Sequence, residues 1–438
     1  DASAMRSFIM KGGISPTQNF SVDVVVRNVD KRGDRDGDLF ALKGLSRQTD
    51  TFSHFASNVW LAGIEARLGS FDGRLEHKVR YNFAQTVLED WDVSDFGTLY
   101  ARNDNKRRNA AYLATLSLDT PALAGVLRHS VTGLVEQESE TFNQITGDNL
   151  TRERNRLATA AEYRAELFGR LTVTGNVRHD NNDTVEDFTT WRTAASLRLS
   201  EWGLRPHASY GTAVKLPTMV EQFGQFAGFV PNANLKPEES KGWDAGVEMR
   251  LMGGLASVDV TYFNSEIANE IDGFAPGPNF TFTAVNRDGT AKHQGVEVAA
   301  SVQLMPGLAL SGSYTFLDAQ AADGQDEIRR PDHAARADLT YTFDQGRGTL
   351  NVSAIYNGQM DDIARRVTGF SFGFPILVPE RTSLDSYWLV NVAASYKLKP
   401  GLELFGRVEN ALNEKYQEVY GFETAGAAAY AGLRFTFE

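Results

Sequence analysis

The densest group of potential metal ligands is a run of carboxylates near the N-terminal end of the chain. Asp30, Asp34, Asp36 and Asp38 fall within the nine residues DKRGDRDGD. Because Ca²⁺ prefers oxygen ligands, this spacing is compatible with a calcium site formed by Asp34, Asp36 and Asp38. The run lacks the glycine and the terminal glutamate of an EF-hand loop. The alternative is a solvated loop, in which the three interspersed basic residues neutralise the carboxylates.

Aromatic residues are concentrated in three otherwise polar segments, EQFGQFAGFVPN, IDGFAPGPNFTF and RRVTGFSFGFPILVPERTSLDSYW. Exposed apolar patches often mark binding sites. The alternative is that these rings pack loop on loop or anchor at a membrane interface. The arginines beside the third segment suit carboxylate or catecholate oxygens of an anionic ligand, or simply solvate the surface. The predicted ligand-binding residues are Phe223, Phe226, Phe229, Arg365, Arg366, Phe370, Phe372 and Phe374.

No group of residues in the sequence predicts catalysis. Serine, histidine and aspartate are present, but there is no G-x-S-x-G element. The chain has no cysteine, which excludes a thiol nucleophile, a disulfide and a cysteine-based metal site. We therefore expect a protein that is not an enzyme. The net charge of −12 and the dispersed basic residues argue against a nucleic-acid partner.

The elements that must position these segments are β-strands, because the hydrophobic period is 2 almost throughout. In LASVDVTYF, Val258, Val260 and Tyr262 share one face, whereas Asp259 and Thr261 lie on the other. LALSGSYTF and WLVNVAASYKL repeat this alternation. We count about 19 such strands, which predicts an all-β protein.

Short turns between these strands alternate with long, charged or Gly-rich connections. Antiparallel hairpins with short turns at one end and long loops at the other are typical of a transmembrane antiparallel β-barrel, with an apolar face toward lipid and a polar face toward a lumen. A helical membrane protein is excluded, because no stretch approaches 18 apolar residues. A soluble propeller is the alternative, but the sequence shows no blade repeat of about 40 residues.

Four parts of the sequence resemble TonB-dependent outer-membrane receptors in order and spacing. They are GTAVKLPTMVEQF with NANLKPEESKGWDAGVEMR, TYFNSEIANEI with VNRDGTAKHQGVEV, RVENALNEKYQEVYGF, and the terminal AAYAGLRFTFE. The resemblance implies a receptor in the outer membrane of a Gram-negative bacterium. Such a receptor captures a scarce solute, a ferric siderophore or a cobalamin-like compound, at extracellular loops. It also implies uptake driven by the TonB energy-transducing complex.

The family barrel has 22 strands and follows an N-terminal plug domain that contacts this complex. The resemblance implies that residues 1–438 form a barrel domain in which the first visible strand corresponds to about the fourth, since neither plug nor first strands appear in this chain. It also implies a terminal assembly signal, read by the barrel-assembly machinery before insertion into lipid. Its residues here are Tyr430, Leu433, Phe435 and Phe437.

Two alternative functions follow from the same comparison. Haem receptors of the family tend to place a histidine between motifs that correspond to VKLPT and NANL, and no histidine lies between Leu216 and Leu235. His293 falls on the inward parity and is predicted to line the lumen. The second alternative is a passive porin-like channel, because a barrel without a plug leaves a lumen open.

Overall fold

Extended strands account for most of the chain in the computed structural model. It describes residues 3–39, 44–45, 47–94, 97–122, 125–146, 148–199, 203–224, 228–277, 281–371 and 374–436. The helical elements are α1 (Met219–Phe223) and two 3₁₀ turns, Met252–Gly254 and Asp344–Gly346. No helix in the described part of the chain is both long and apolar enough to cross a membrane.

The strands follow one another in chain order with short or long connections. They are β1 (Ser3–Thr17), β2 (Phe20–Leu39), β3 (Gly44–Leu45), β4 (Arg47–Ser70), β5 (Leu75–Ser94), β6 (Gly97–Ala122), β7 (Gly125–Thr146), β8 (Asp148–Leu167), β9 (Leu171–Asn182), β10 (Phe188–Leu197), β11 (Leu204–Lys215), β12 (Phe229–Val230), β13 (Glu238–Leu251), β14 (Ala256–Ala268), β15 (Ile271–Pro276), β16 (Phe282–Asn286), β17 (Thr290–Met305), β18 (Leu308–Gln320), β19 (His333–Phe343), β20 (Gly348–Asn357), β21 (Met360–Ser371), β22 (Phe374–Leu384), β23 (Tyr387–Lys399), β24 (Leu402–Glu409) and β25 (Ala428–Phe435).

Nineteen of these strands form one antiparallel sheet, which confirms the predicted all-β barrel architecture. Each strand pairs with the next barrel strand along the chain, as β1 does with β2, β2 with β4, and β24 with β25. The remaining six strands, β3, β12, β15, β16, β21 and β22, form two smaller sheets. All six lie within the long connections.

The two faces of the large sheet differ in polarity as the alternation predicts. Val260 and Tyr262 are exposed on the outward face, whereas Asp259 accepts a hydrogen bond from the Thr261 hydroxyl at 2.8 Å on the other face. In β13, Val247 lies opposite Val260 and is exposed in the same way. The predicted faces of β14 are therefore confirmed. The outward residues of β7, β8 and β9 include Val135, Leu157 and Val177.

From β11 onward, long connections at one end of the sheet alternate with short turns at the other. The short turns are tight. The β4–β5 turn holds Phe71, Asp72 and Gly73 at positive φ. Glycine adopts this left-handed conformation at no steric cost, which suits Gly73 (φ 83°) to the turn. The end with short turns is called the inner end, and the end with long connections the outer end. Every segment that the sequence marks as a candidate ligand-binding loop lies at the outer end.

Aromatic rings border the outward apolar face near both ends. Toward the outer end, Tyr356 packs against Trp388 with ring centroids 4.8 Å apart, and toward the inner end, Tyr341, Phe343 and Tyr396 pack in sequence. Trp388 and Tyr396 lie on the same face of β23. Eight residues, or roughly 26 Å of strand, therefore separate the two belts. This spacing is close to the apolar band of about 25 Å in outer-membrane barrels.

Candidate functional site

The long connections at the outer end fold into two small sheets. The first, called the β12 sheet, consists of β12, β15 and β16 and joins the β11–β13 connection to the β14–β17 connection. The second consists of β21 and β22, called the outer hairpin, together with β3 from the β2–β4 connection. The three aromatic segments of the sequence therefore belong to two structures.

The β12 sheet has a small apolar core of its own. Phe229, Leu235 and Ala284 are buried, with exposed fractions of 8%, 4% and 0%, and Ile271 packs against them. Phe229 pairs in parallel with Phe282, whose ring is 42% exposed. One aromatic of the pair thus fills the core, and the other faces away from it.

Asparagine side chains hold the backbone around the β12 sheet. Asn232 Nδ2 donates to the carbonyl of Ala284 at 3.0 Å. Asn286 Oδ1 accepts the amide of Lys236 at 2.9 Å, and Asn286 Nδ2 donates to the carbonyl of Asn269 at 2.8 Å. These bonds satisfy backbone groups that no regular strand pairing reaches. The NANL and VNRDG segments are therefore structural clamps.

Helix α1 is fixed against the lumen side of the wall. Thr218 and Glu221 form a capping box, in which the Glu221 carboxylate accepts the Thr218 amide at 2.7 Å. Arg154 of β8 donates from Nη1 to the carbonyl of Pro217 at 2.8 Å and from Nη2 to Glu140 at 2.5 Å. Since Arg154 is buried, this contact ties the β11–β13 connection to the barrel.

The outer hairpin is held by an ion pair and a backbone pairing. Arg366 Nη2 donates to Glu380 Oε1 at 2.8 Å. The hydrogen bond and charge of Arg366 lower the pKa of Glu380, and those of Glu380 raise the pKa of Arg366. Arg366 and Val367 pair with Leu45 and Gly44 of β3. The hairpin therefore reaches across the outer end to the β2–β4 connection.

Three outer connections meet at Asp362, which is fully buried. Its carboxylate accepts Arg329 Nε at 2.8 Å and the backbone amide of Tyr420 at 2.6 Å. The neighbouring Asp361 accepts Arg381 Nε at 2.7 Å. The β18–β19 connection, the base of the outer hairpin and the β24–β25 connection are consequently joined through one carboxylate.

Charged residues of alternating sign line the lumen face of β7, β8 and β9. Glu138 pairs with Arg156 at 3.0 Å, and Arg156 approaches Asp180 at 3.6 Å. Asp180 also pairs with Arg178 at 2.8 Å, which pairs in turn with Glu136 at 2.8 Å. The Asp180 carboxylate is almost fully buried, so these bonds offset its desolvation. The lumen wall is polar and internally paired.

A histidine and a carboxylate meet across an intervening strand on the same wall. His207 Nε2 of β11 lies 3.1 Å from Asp259 Oδ2 of β14. Gly246 of β13 lies between them, and a Cβ there would stand only 2.8 Å from His207 Cε1. Glycine at this position therefore permits the contact. His293, the histidine predicted to line the lumen, lies 2.6 Å from Glu327 Oε1.

The predicted ligand residues of the first aromatic segment have different surroundings. Phe223 ends α1, and the guanidinium of Arg152 lies 5.7 Å from its ring centroid. Phe229 is buried in the β12 sheet, as the loop-packing alternative expects. Phe226 lies outside the described residues.

The predicted residues of the third segment belong to the outer hairpin wherever the structure describes them. Phe370 is 46% exposed near its tip, and Arg366 is engaged with Glu380. Arg365 lies opposite Pro379 in the β21–β22 pairing. Phe372 lies outside the described residues, and Phe374 is described only as a backbone position of β22. The structure thus separates these residues from Phe223 and Phe229, which belong to the β11–β13 connection.

The acidic run predicted as a calcium site continues β2. Asp34 pairs with His54 of β4, and the backbone positions of Asp36 and Asp38 remain in the strand. The side chains of Asp36 and Asp38 lie outside the described residues. Within the part of the chain that the structure describes, no three His, Cys, Asp or Glu side chains are grouped to hold a metal ion.

The terminal strand divides its large residues between two faces. Leu433 and Phe435 are exposed on the outward face. Tyr430 is on the opposite face, where the Arg407 guanidinium lies 4.5 Å from its ring centroid. Tyr430 therefore differs in environment from the other described residues of the predicted assembly signal. Phe437 lies outside the described residues.

Sequence reasoning missed the buried junction at Asp362 and the contact between Tyr387 and Tyr416, whose ring centroids are 4.3 Å apart. Each contact joins positions that are distant in the chain. The sequence gives one signal, the adjacent carboxylates Asp361 and Asp362 at the start of an arginine-rich strand. That signal does not identify a partner.

A 19-stranded sheet with aromatic belts, a polar inner face and structured outer connections defines an outer-membrane β-barrel. The family described as TonB dependent receptor-like, beta-barrel, matches residues 12–411. The chain therefore belongs to the TonB-dependent receptor β-barrel family, and its barrel lies in the outer membrane. The resemblance in the sequence is confirmed.

Known relatives agree with this assignment. The vitamin B12 transporter BtuB of Photobacterium profundum is 32% identical over 272 residues, which is 60% of this chain and 40% of that protein. The chain thus matches well under half the length of this curated relative.

Solved structures show the same fold at low identity. A variant of the ferric enterobactin receptor PfeA of Pseudomonas aeruginosa superposes with a TM-score of 0.78 at 15% identity, covering 100% of this chain and 70% of that one. The ferripyoverdine receptor of Pseudomonas aeruginosa, bound to ferripyoverdine, gives 0.75 at 14% identity, with coverage of 99% and 65%. These likenesses concern the fold alone.

Proposed function

We propose that residues 1–438 form the barrel domain of a receptor that binds a scarce solute at its outer end and imports it with energy from the TonB complex. The solute class is a ferric siderophore or a cobalamin-like compound. Membership of the TonB-dependent receptor family supports this proposal. The similarity to a vitamin B12 transporter supports the cobalamin-like alternative.

The observation that carries the proposal is the ordered outer end. The β12 sheet, α1 and the outer hairpin are fixed by a buried core, by Arg154 and by Asp362. A passive channel needs a clear mouth, whereas a receptor needs preorganised surfaces that lose little entropy when the solute binds. Structured connections of this kind favour a receptor over a porin-like channel.

The proposed ligand contacts lie mainly in the third aromatic segment. Phe370 and Phe374 are at the ends of β21 and β22 that form the tip of the outer hairpin, and Arg365 and Arg366 are at the middle of β21. The exposed ring of Phe370 supports such a role. Phe372 is proposed with them from the sequence. In the β11–β13 connection, Phe223 and Phe226 are the proposed contacts, and Phe229 serves the site as part of its scaffold.

Uptake measurements test the receptor proposal. Radiolabelled cobalamin and a panel of ferric siderophores are offered to cells that carry the protein, with and without a functional TonB complex. We expect saturable uptake of one solute that disappears without TonB. Uptake that rises linearly with concentration and persists without TonB would instead establish a passive channel.

We also propose that the outward residues of β25 serve assembly through the barrel-assembly machinery and contact lipid afterwards. Phe435 is 59% exposed and stands opposite Leu402 of β24 on the outward face. Replacing Phe435 by Ser should lower the outer-membrane level of the protein more than Tyr430→Ser, because Tyr430 faces away from lipid. Equal levels of the two variants would contradict this role.

A further inference from the structure

The negative charge of the chain is concentrated at the outer end. The inner turns are balanced, as Asp72 with Arg74 and Asp344 with Arg347 show. The outer connections carry an excess of acids. The β9–β10 connection has Asp183, Glu186 and Asp187 with no basic residue, and residues 410–427 have Glu414, Glu418 and Glu423 with Lys415 alone.

Basic side chains at the outer end are largely engaged by local carboxylates. Arg287 pairs with Asp272 at 2.9 Å, and this hydrogen bond raises the pKa of Arg287. Arg329 and Arg381 are bound by the adjacent carboxylates Asp362 and Asp361. An approaching solute therefore meets a net negative field, which repels polyanions and attracts cations.

One cavity within this field is built from aromatic and acidic side chains. It has a volume of about 600 Å³ and lies between the β22–β23 link and residues 410–427. We call it the 410–427 pocket. Its lining includes Asp385, Tyr387, Glu414, Tyr416, Tyr420 and Glu423.

The aromatic wall of the pocket is preorganised. Tyr387 is 7% exposed, its ring packs against Tyr416, and its hydroxyl donates to Glu418 Oε1 at 3.5 Å. Asn410 Oδ1 accepts the backbone amide of Glu414 at 2.8 Å, and the Asn410 side chain is itself buried. The loop that carries Glu414 and Tyr416 is thereby held in place before any ligand binds.

The other wall of the pocket is acidic, and its carboxylates are not neutralised by ion pairs with described residues. Asp385, Glu414 and Glu423 form no ion pair within the part of the chain that the structure describes, and the single basic residue of the lining is Lys415. Carboxylates next to aromatic faces are the surroundings that an organic cation requires, because the ring quadrupole and the negative charge act together on it. They disfavour a carboxylate or catecholate ligand.

We propose that the 410–427 pocket binds a positively charged organic group, an alkylammonium or guanidinium, carried by the imported solute. This inference rests on the proposed receptor function and specifies the chemistry of its ligand. The cation stands against the Tyr416 ring, with Glu414 and Glu423 as counter-charges. Recognition at this pocket is independent of the arginines of the outer hairpin.

A matched pair of probes tests the proposal on the purified protein in a detergent that has no choline headgroup. Choline carries a quaternary ammonium, and 3,3-dimethyl-1-butanol has the same shape without the charge. Ligand-observed NMR titration should show choline binding at least roughly tenfold more tightly, since a nearby carboxylate pair and an aromatic face act on the charge alone. Equal affinity for the two probes would overturn the proposal.

Charge-neutralising variants localise the binding. Glu423→Gln should weaken choline binding roughly fivefold, whereas Glu186→Gln, which changes an exposed acid of the β9–β10 connection, should alter it less than about twofold. Lys415→Gln should strengthen it about twofold, an effect that misfolding cannot mimic. The same loss in both glutamate variants would show that the overall field, and not this pocket, binds the cation.

The outcomes separate this proposal from the receptor function. TonB-dependent uptake without charge-selective choline binding would refute the pocket and leave the receptor intact. Charge-selective binding that responds to Glu423 and Lys415, in a protein that imports its solutes passively, would support the pocket and refute energy-coupled uptake.

Discussion

The β12 sheet and the outer hairpin occupy the same end of the barrel but are stabilised differently. The β12 sheet closes on Phe229, Leu235 and Ala284, which are almost inaccessible to solvent. The outer hairpin leaves Phe370 and Ile376 46% and 45% exposed, and it is anchored by charges at its base and middle. The contrast indicates that one region is scaffold and the other is available for contact with a solute.

The largest expected effect is the loss of Phe229 from the β12 sheet. Phe229→Ala removes the main ring of a small core and should cost about 3 kcal/mol of local opening free energy. Hydrogen exchange at the amides of β15 and β16 measures this cost. Phe282→Ala is the control, because its side chain is 42% exposed and lies outside the buried core, and it should cost less than about 1 kcal/mol. Equal costs would remove the distinction between core and surface in this sheet.

The next effect concerns the base of the outer hairpin. Asp362→Asn deprives Arg329 of its buried partner. It should lower the free energy of local opening of residues 410–427 by about 2 kcal/mol, a value discounted because Arg329 is half-exposed. Asp361→Asn removes a more exposed pair and should cost about 0.5 kcal/mol. Hydrogen exchange at Tyr420 compares the two. If Asp361→Asn had the greater effect, Asp361 and not Asp362 would be the carboxylate that holds the three connections together.

Replacing Phe370 should change the stability of the hairpin little but should clearly weaken solute binding. Phe370→Ala should leave hairpin stability within about 0.5 kcal/mol, because the ring is exposed. It should reduce solute affinity about tenfold if the ring contacts the ligand. Equilibrium binding of the transported solute measures this, with Ile376→Ala as a control on the same hairpin. Unchanged affinity would assign Phe370 to another role.

The smallest effect is the acid response of the hairpin. The ion pair between Arg366 and Glu380 lowers the pKa of Glu380, so the folded hairpin favours the ionised form of this carboxylate. The resulting stability is present above the usual glutamate pKa and is lost as the pH falls through the lowered value. Hydrogen exchange of β21 and β22, corrected for intrinsic rates, should accelerate over this range. In Glu380→Gln this acceleration should be absent.

Much of the barrel is predictable from local sequence. A strand exposes alternate residues to lipid and lumen, so the period-2 pattern of LASVDVTYF sets the faces of Val260 and Asp259 without further information. Turn length likewise distinguishes the two ends. The four receptor-like segments identify the family from the sequence alone.

The candidate site is much less predictable, because loop side chains choose partners in space. Phe229 and Phe370 look equivalent in sequence, yet one is buried and the other exposed. Tyr430 resembles a member of the aromatic row of β25 but lies on the opposite face, since it precedes Leu433 by an odd number of positions. The strand period of 2 is therefore sufficient to place Tyr430 and Leu433 on opposite faces.

The sequence by itself determined the strand periodicity, the lipid and lumen faces, the alternation of turns and the family, because each depends on near neighbours along the chain. Only the tertiary structure decided that Asp362 joins three connections, that Arg154 holds α1, and that Tyr387 meets Tyr416. These contacts link residues tens of positions apart. Their formation depends on the closing of long loops, where many pairings of similar local propensity compete and burial selects among them.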